Sequence, residues 1–218
     1  METAVLRAAP KMAWRAARIG KRLSAAQRVA RLVPLLVALC LAIFTFSTAS
    51  HAETQGALVC EREMMRAARK YGVPLGVLYA VGLTETGRRG SLSPFALNIA
   101  GPSYFPRTLT EALQRYEQAR RDGVKLIDIG CMQINHLYHG SHFRSVTDMF
   151  DPRENVDYAA QYLKELRVKE GSWTLAAARY HAGPNNNPAQ KQYVCAVMTN
   201  MVASGFGRWT PNARAFCE

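Results

Sequence analysis

The sequence predicts a mainly α-helical protein whose folded part is a single domain. Three observations carry this. Apolar residues recur at helical steps in a series of stretches between residues 57 and 202. Gly and Pro stand where those stretches begin or end. No linker, repeat or low-complexity segment divides residues 53–218. At most a short strand or extended element is expected, near residues 124–135.

The elements follow in order. A first helix is expected from about Ala57 to Lys70, with Val59, Met64 and Ala67 or Ala68 on one side and Gly72 ending it. Pro74 opens a second, from about Leu75 to Thr86, because a helix's first N–H needs no partner. Gly87 ends that helix. Residues 87–107, with Pro94, Pro102 and Pro106, read as a loop. Thr108 with Glu111 makes a capping box for a helix to about Asp122. The run VKLIDIGCMQIN holds the extended element. Asp151 before Pro152 starts a helix whose apolar stripe is Val156, Ala160, Leu163 and either Leu166 or Val168. Trp173–His181 is a short Ala-rich helix stopped by Gly183 and Pro184, and Trp173 is expected in the core. A last helix, about Ala189 to Val202, brings Tyr193, Val194, Val197 and Met201 together.

Residues 1–52 read as an address. Residues 1–31 hold eight Lys or Arg and one acid, Glu2. Leu32–Phe46 is uncharged and apolar, and Ser50 and Ala52 are spaced as the small residues of a cleavage site. A basic region, a short apolar core and such a site describe a secretory signal. The apolar run of 15 residues is shorter than the ~20 that a membrane helix needs. An uncleaved anchor facing the periplasm is the alternative, and Met12 offers a second start. Leu39 precedes Cys40, where lipoprotein processing would want a small residue. The leader carries +7 of the chain's +12, and +12 less +7 leaves +5 for residues 53–218. That small charge argues against nucleic-acid binding and suits an anionic polymer outside the cytoplasm. Four cysteines remain: Cys60, Cys131, Cys195 and Cys217. An even number in an exported domain suggests two disulfides, and the sequence leaves all three pairings open.

Three segments read as walls of a site. Glu85, in LYAVGLTETG, is the only acid between Met65 and Glu111 and closes an apolar helix. A carboxylic acid in such a place resists ionisation, and a protonated acid can give its proton to a leaving group. In GCMQIN, residues 130–135, Gly130 allows close backbone approach, and an extended backbone would put the amides of Gln133 and Asn135 on one side. Amides so spaced suit the acetamido and hydroxyl groups of sugars. In ARYHAG, residues 178–183, Tyr180 is placed to bond a sugar or the acid. His136, His139 and His142 recur every three residues, yet no carboxylate or Cys completes a metal-ligand set, so no metal is expected.

The order TETG, GCMQIN, RYHAG resembles the soluble lytic transglycosylase family, whose fold is lysozyme-like and whose motifs run E-S-G, G-L-M-Q-I-N and A-Y-N-A-G. The tract NVDYAAQYL, residues 155–163, is similar to the family's helix between the last two motifs. The resemblance spans about residues 57–184. It implies cleavage of the MurNAc–GlcNAc bond of peptidoglycan without a cofactor. Glu85 would be the sole acid and base, and the muramic acid's own primary hydroxyl would close on the anomeric carbon to leave an anhydro end. An internal nucleophile removes the need for the second carboxylate of ordinary glycosidases. Met132, Gln133 and Asn135 would form a cleft wall, with Tyr180 beside the acid.

This chain departs from the family pattern at several points. His181 replaces the Asn after that Tyr, and Thr86 the serine after the acid. Pro94 and Ala96 keep a downstream pattern that puts Asn98 at a serine. Residues 99–129 form an insertion between two walls. Asp128 is the nearest candidate for a second carboxylate, with backbone capping of a turn as its ordinary role. The expected partner is the peptidoglycan glycan strand, with secretion or flagellar machinery as a further partner. The protein is expected to be a periplasmic monomer. A muramidase using water, and a non-catalytic wall-binding protein that assists assembly of such a machine, are the alternatives.

Overall fold

The computed structural model describes residues 58–86, 91–182 and 187–218, all within one unit of the chain. The leader with its cleavage site, Cys40, Gly87, and the Gly183–Pro184 stop lie outside the described residues. Helix α1 occupies residues 58–71 and α2 Leu75–Thr86. Strands β1 (Leu97–Ile99) and β2 (Ser103–Tyr104) precede α3 (Leu109–Arg121). Strands β3 (Ile127–Ile129) and β4 (Ile134–Asn135) follow. After them come α4 (His136–His139), a 3-10 turn at Gly140–His142, α5 (Val146–Phe150), α6 (Pro152–Glu170), α7 (Trp173–Ala182), α8 (Asn187–Ala203) and α9 (Pro211–Cys217). The fold is mainly α, as the sequence predicts. Among the described residues, no helix is long and apolar enough to cross a membrane.

Helix α2 is apolar on almost every side. Val77, Leu78, Ala80, Val81, Gly82, Leu83 and Thr86 are all buried, as expected of a helix around which the rest of a domain packs. Helices α7 and α8 lie against it. Gly82 leaves room for Met64 of α1, whose Cε lies 2.6 Å from where a Cβ would stand. Helix α6 starts where Asp151 accepts hydrogen bonds from the backbone N–H of Arg153 and Glu154, and Pro152 takes the position that needs no donor. Its buried stripe contains Leu166, while Val168 is 79% exposed. Thr108 caps α3 by accepting from Glu111 N–H. Glu111 in turn accepts from Arg107 N–H, one residue outside the expected cap. Trp173 packs, partly buried, against the core.

The sheet is larger than expected: four antiparallel strands in the order β2-β1-β3-β4. β3 and β4 fall within the expected extended segment. β1 and β2 fall in residues 87–107, expected to be a loop. They form a hairpin in which Asn98 bonds Gly101 through both its amide nitrogen and its oxygen. Strands of three and two residues are too short for alternation to declare them. The register sorts the side chains into two rows. Leu97, Ile129 and Ile134 align across β1, β3 and β4, all buried. Ser103, Asn98, Asp128 and Asn135 align across all four strands on the other face, because successive side chains point to opposite faces.

Cys60 pairs with Cys131, and Cys195 with Cys217. The first bridge ties α1 to the turn between β3 and β4. The second ties α9, which the sequence reading did not foresee, to α8.

Candidate active site

Glu85 lies in the last turn of α2, with its side chain 14% exposed. Because α2 is held in the core, the carboxylate leaves the core at a fixed point. The Tyr193 hydroxyl on α8 donates to Glu85 Oε1 at 2.6 Å. His181 Nδ1 on α7 stands 3.7 Å from the same oxygen. The His181 and Tyr193 rings stack, with centroids 4.2 Å apart and planes 6° from parallel. Three helices thus converge on one carboxylate oxygen. Burial pushes the Tyr193 phenol well above its ordinary range, and the charge of Glu85 adds to that. Tyr193 therefore stays a donor. The Glu85 carboxylate beside it raises His181, against the effect of its own burial.

The β3–β4 turn forms the second wall. Gly130 has φ +83° and Gln133 φ +47°, so GCMQIN is a turn entering β4 and not an extended run. A Cβ at Gly130 would meet Asn155 Nδ2 at 2.5 Å. Asn155, fully buried on α6, explains this closeness. Its Nδ2 donates to the carbonyls of Ile129 (2.9 Å) and Met149 (2.8 Å), and its Oδ1 accepts from Met132 N–H at 2.9 Å. One amide therefore pins the turn to α6.

Several expected wall residues bond their own chain. Thr86 is buried and donates to Gly82 O at 2.8 Å. Met132 is fully buried, and its carbonyl accepts the Tyr180 hydroxyl at 2.8 Å. Gln133 donates to the carbonyls of Gly130 (2.9 Å) and Ala96 (3.2 Å). Asn98 holds the β1–β2 hairpin. Asn135 caps α4 through its oxygen and donates from Nδ2 to Asp128 Oδ1 at 2.6 Å. Among the expected residues, His181 lies beside Glu85. Tyr193 belongs to the apolar stripe of the last helix, and nothing in its local sequence distinguishes a packing tyrosine from one that holds an acid 108 residues away. His136 Nε2 pairs with the Tyr116 hydroxyl at 2.9 Å, and His139 Nδ1 with that of Tyr158 at 2.7 Å. Hollows of about 370 Å³, beside Tyr71 and Asp157, and about 520 Å³, beside Tyr79 and Phe206, do not include Glu85. The site is therefore identified by its chemistry.

A mainly α domain with a small antiparallel sheet, and a nearly buried acid held at the end of its core helix, is of the lysozyme-like class. A family model, the transglycosylase SLT domain, matches residues 63–200, and the chain belongs to that family. Such domains carry peptidoglycan-cleaving activity of the lytic transglycosylase type and bind glycan strands. No curated protein and no solved structure matches the chain.

Proposed function

We propose that this chain is an exported lytic transglycosylase that cleaves the MurNAc–GlcNAc bond with Glu85 as its single acid and base. Glu85 gives a proton to the departing glycosidic oxygen. It then takes one from the primary hydroxyl of the muramic acid as that hydroxyl bonds to the anomeric carbon. The product is an anhydro end, and no water is consumed. An internal hydroxyl avoids much of the entropy of a bimolecular attack. The observation that carries this reading is the hold on Glu85: one oxygen is tied by Tyr193 at 2.6 Å, which leaves the other to exchange the proton. On this reading residues 1–52 direct export and residues 53–218 form the periplasmic domain, in keeping with the two disulfides. Thr86, Asn98, Met132, Gln133, Asn135, Tyr180 and His181 form or brace the walls that receive the glycan.

The test is Glu85→Gln, which keeps the shape of the side chain and removes the transferable proton. Loss of soluble muropeptide release from purified peptidoglycan, with an unchanged thermal melt, is the expected result. Undiminished release would remove Glu85 from this role and favour a wall-binding protein without chemistry of its own.

A further inference from the structure

We propose that the hollow between α1, α2 and the end of α8 is a docking groove for an amphipathic helix of another protein, one that presents apolar side chains with a lysine or arginine among them. The inference concerns a surface apart from Glu85 and does not depend on the reading of that acid.

The hollow, of about 520 Å³, follows from sequence spacing. Leu75, Tyr79 and Leu83 recur every four residues along α2, so they form one row on that helix. The row is about 12 Å long at 1.5 Å per residue. Glu61 and Met65 make a facing row on α1, with the exposed Leu58 on the same side one turn earlier. Phe206 forms the third side. Gly205, with φ +77°, turns the chain back after α8, and Phe206 N–H donates to Met201 O at 3.0 Å. The Phe206 ring then lies 5.6 Å from that of Tyr79. Gly76 allows this approach, since a Cβ there would stand 2.7 Å from Phe206 Cβ. Met65 and Phe206 are held in place, yet they remain 42% and 45% exposed. Large apolar side chains gathered around one hollow differ from the scattered ones of an ordinary surface and mark an interaction site.

The chemistry of the groove selects its occupant. Glu61 is the one charged residue among those that line it. Its Oε2 is buried, and no group among the described residues donates to that oxygen. Burial raises its carboxyl above the ordinary range, opposed in part by its own backbone N–H. A purely apolar cover would strip the remaining water from this charge, which is costly. A lysine or arginine would instead give it a charge-assisted hydrogen bond. The lining residues belong to α1, α2, α8 and the turn after α8, and they offer an extended chain no strand edge to pair with. A helix arrives with its backbone groups already bonded and lays its apolar face into such a groove. A glycan would set hydroxyl groups against Leu75 and Leu83. An anionic lipid surface would set like charge against Glu61.

The same two helices position the acid of the site. Helix α2 carries Glu85 and α8 carries Tyr193. Asn200, in the wall of the groove, donates to Thr84 Oγ1 at 2.9 Å, one residue before Glu85. Glu85 does not line the groove. A helix seated there therefore grips α2 and α8 without contacting Glu85 itself.

The test is the fluorescence anisotropy of three labelled helical peptides titrated with the purified full chain. The first peptide carries leucines along one face with one lysine among them. The second has glutamate in place of that lysine, and the third has the residues of the first in scrambled order. The wild-type protein should bind the lysine peptide about tenfold more tightly than the glutamate peptide, and should not bind the scrambled one. Glu61→Gln keeps the shape of the side chain and should erase the preference between the first two. Met65→Ser should weaken the lysine peptide with an unchanged melt. Glu85→Gln should bind as the wild type does, so failure of the groove and failure of the acid are told apart. Equal binding of the lysine and glutamate peptides to the wild type overturns the proposal. So does a preference that survives Glu61→Gln, or a lysine peptide that does not bind. Displacement of the lysine peptide by soluble glycan strands or by phosphatidylglycerol vesicles would make the groove a wall or membrane site instead. Dimerisation in sedimentation that Met65→Ser abolishes would make its occupant a second copy of this chain, and would equally overturn the proposal.

Discussion

The Tyr193 hydroxyl donates to Glu85 Oε1 at 2.6 Å, across 108 residues of sequence. The bond fixes which oxygen of the acid is engaged and which is free to exchange a proton. Tyr193→Phe removes only that hydroxyl. A hydrogen bond to a charged group contributes about 1.5–3 kcal/mol, so kcat should fall roughly 10- to 100-fold at 1.36 kcal/mol per decade. Turbidity loss of a peptidoglycan suspension measures this. A rate within twofold of wild type would mean that Tyr193 merely packs.

His181 is raised above its ordinary 6.5, first by the Glu85 carboxylate 3.7 Å away. A histidine raised in the folded state adds stability that is fully present below 6.5 and is lost as pH rises through the raised value. The imidazole resonances of His181 should therefore titrate above 6.5 in wild type. In Glu85→Gln they should titrate lower, because the charged partner is gone. An NMR titration that gives the same midpoint in both proteins would show that the pair is not coupled in solution.

Asn155 satisfies three backbone groups of the β3–β4 turn and the α5 end, all within 2.9 Å. Each buried group left without a partner costs about 1–3 kcal/mol. Asn155→Ala should thus destabilise by roughly 3 kcal/mol or more, a loss of about 10 °C in Tm for a domain of this size. A melt shifted by less than about 3 °C would contradict the bracing role. Gly130→Ala should behave similarly, since its Cβ would meet Asn155 at 2.5 Å on a backbone with φ +83°.

The two disulfides close segments of 71 and 22 residues. In the chain-entropy account the longer contributes about 4 kcal/mol and the shorter about 3. Replacing Cys60 and Cys131 together by Ser should lower Tm more than replacing Cys195 and Cys217. It should also slow wall lysis at temperatures below the melt, because Cys131 adjoins the Met132 carbonyl that anchors Tyr180. Equal activity in both double variants would separate the bridge from the site.

The long helices were legible because apolar spacing agrees with the punctuation around them: Pro74 and Pro152 stand at the starts of α2 and α6, and Gly72 and Gly171 follow α1 and α6. Glu85 was legible because it stands alone at the end of such a helix. The rest depended on distance. β1 and β2 are too short to show alternation. Gln133 adopts a left-handed backbone that no neighbour announces, so the extended reading of GCMQIN missed the turn. Asn155 opens NVDYAAQYL as an ordinary polar residue, and only the fold brings it under Gly130. Asp128 reads locally as a turn cap, and only the strand register turns it to the face it shares with Asn98 and Asn135.

The most direct test of the central claim is the mass of the muropeptides that the wild-type protein releases from purified peptidoglycan. Attack by the substrate's own hydroxyl predicts ends one water lighter than reducing sugars, absent when Glu85 is Gln. Reducing ends from the wild-type protein would mean that water is the nucleophile, and the account of Glu85 serving an internal attack would fail.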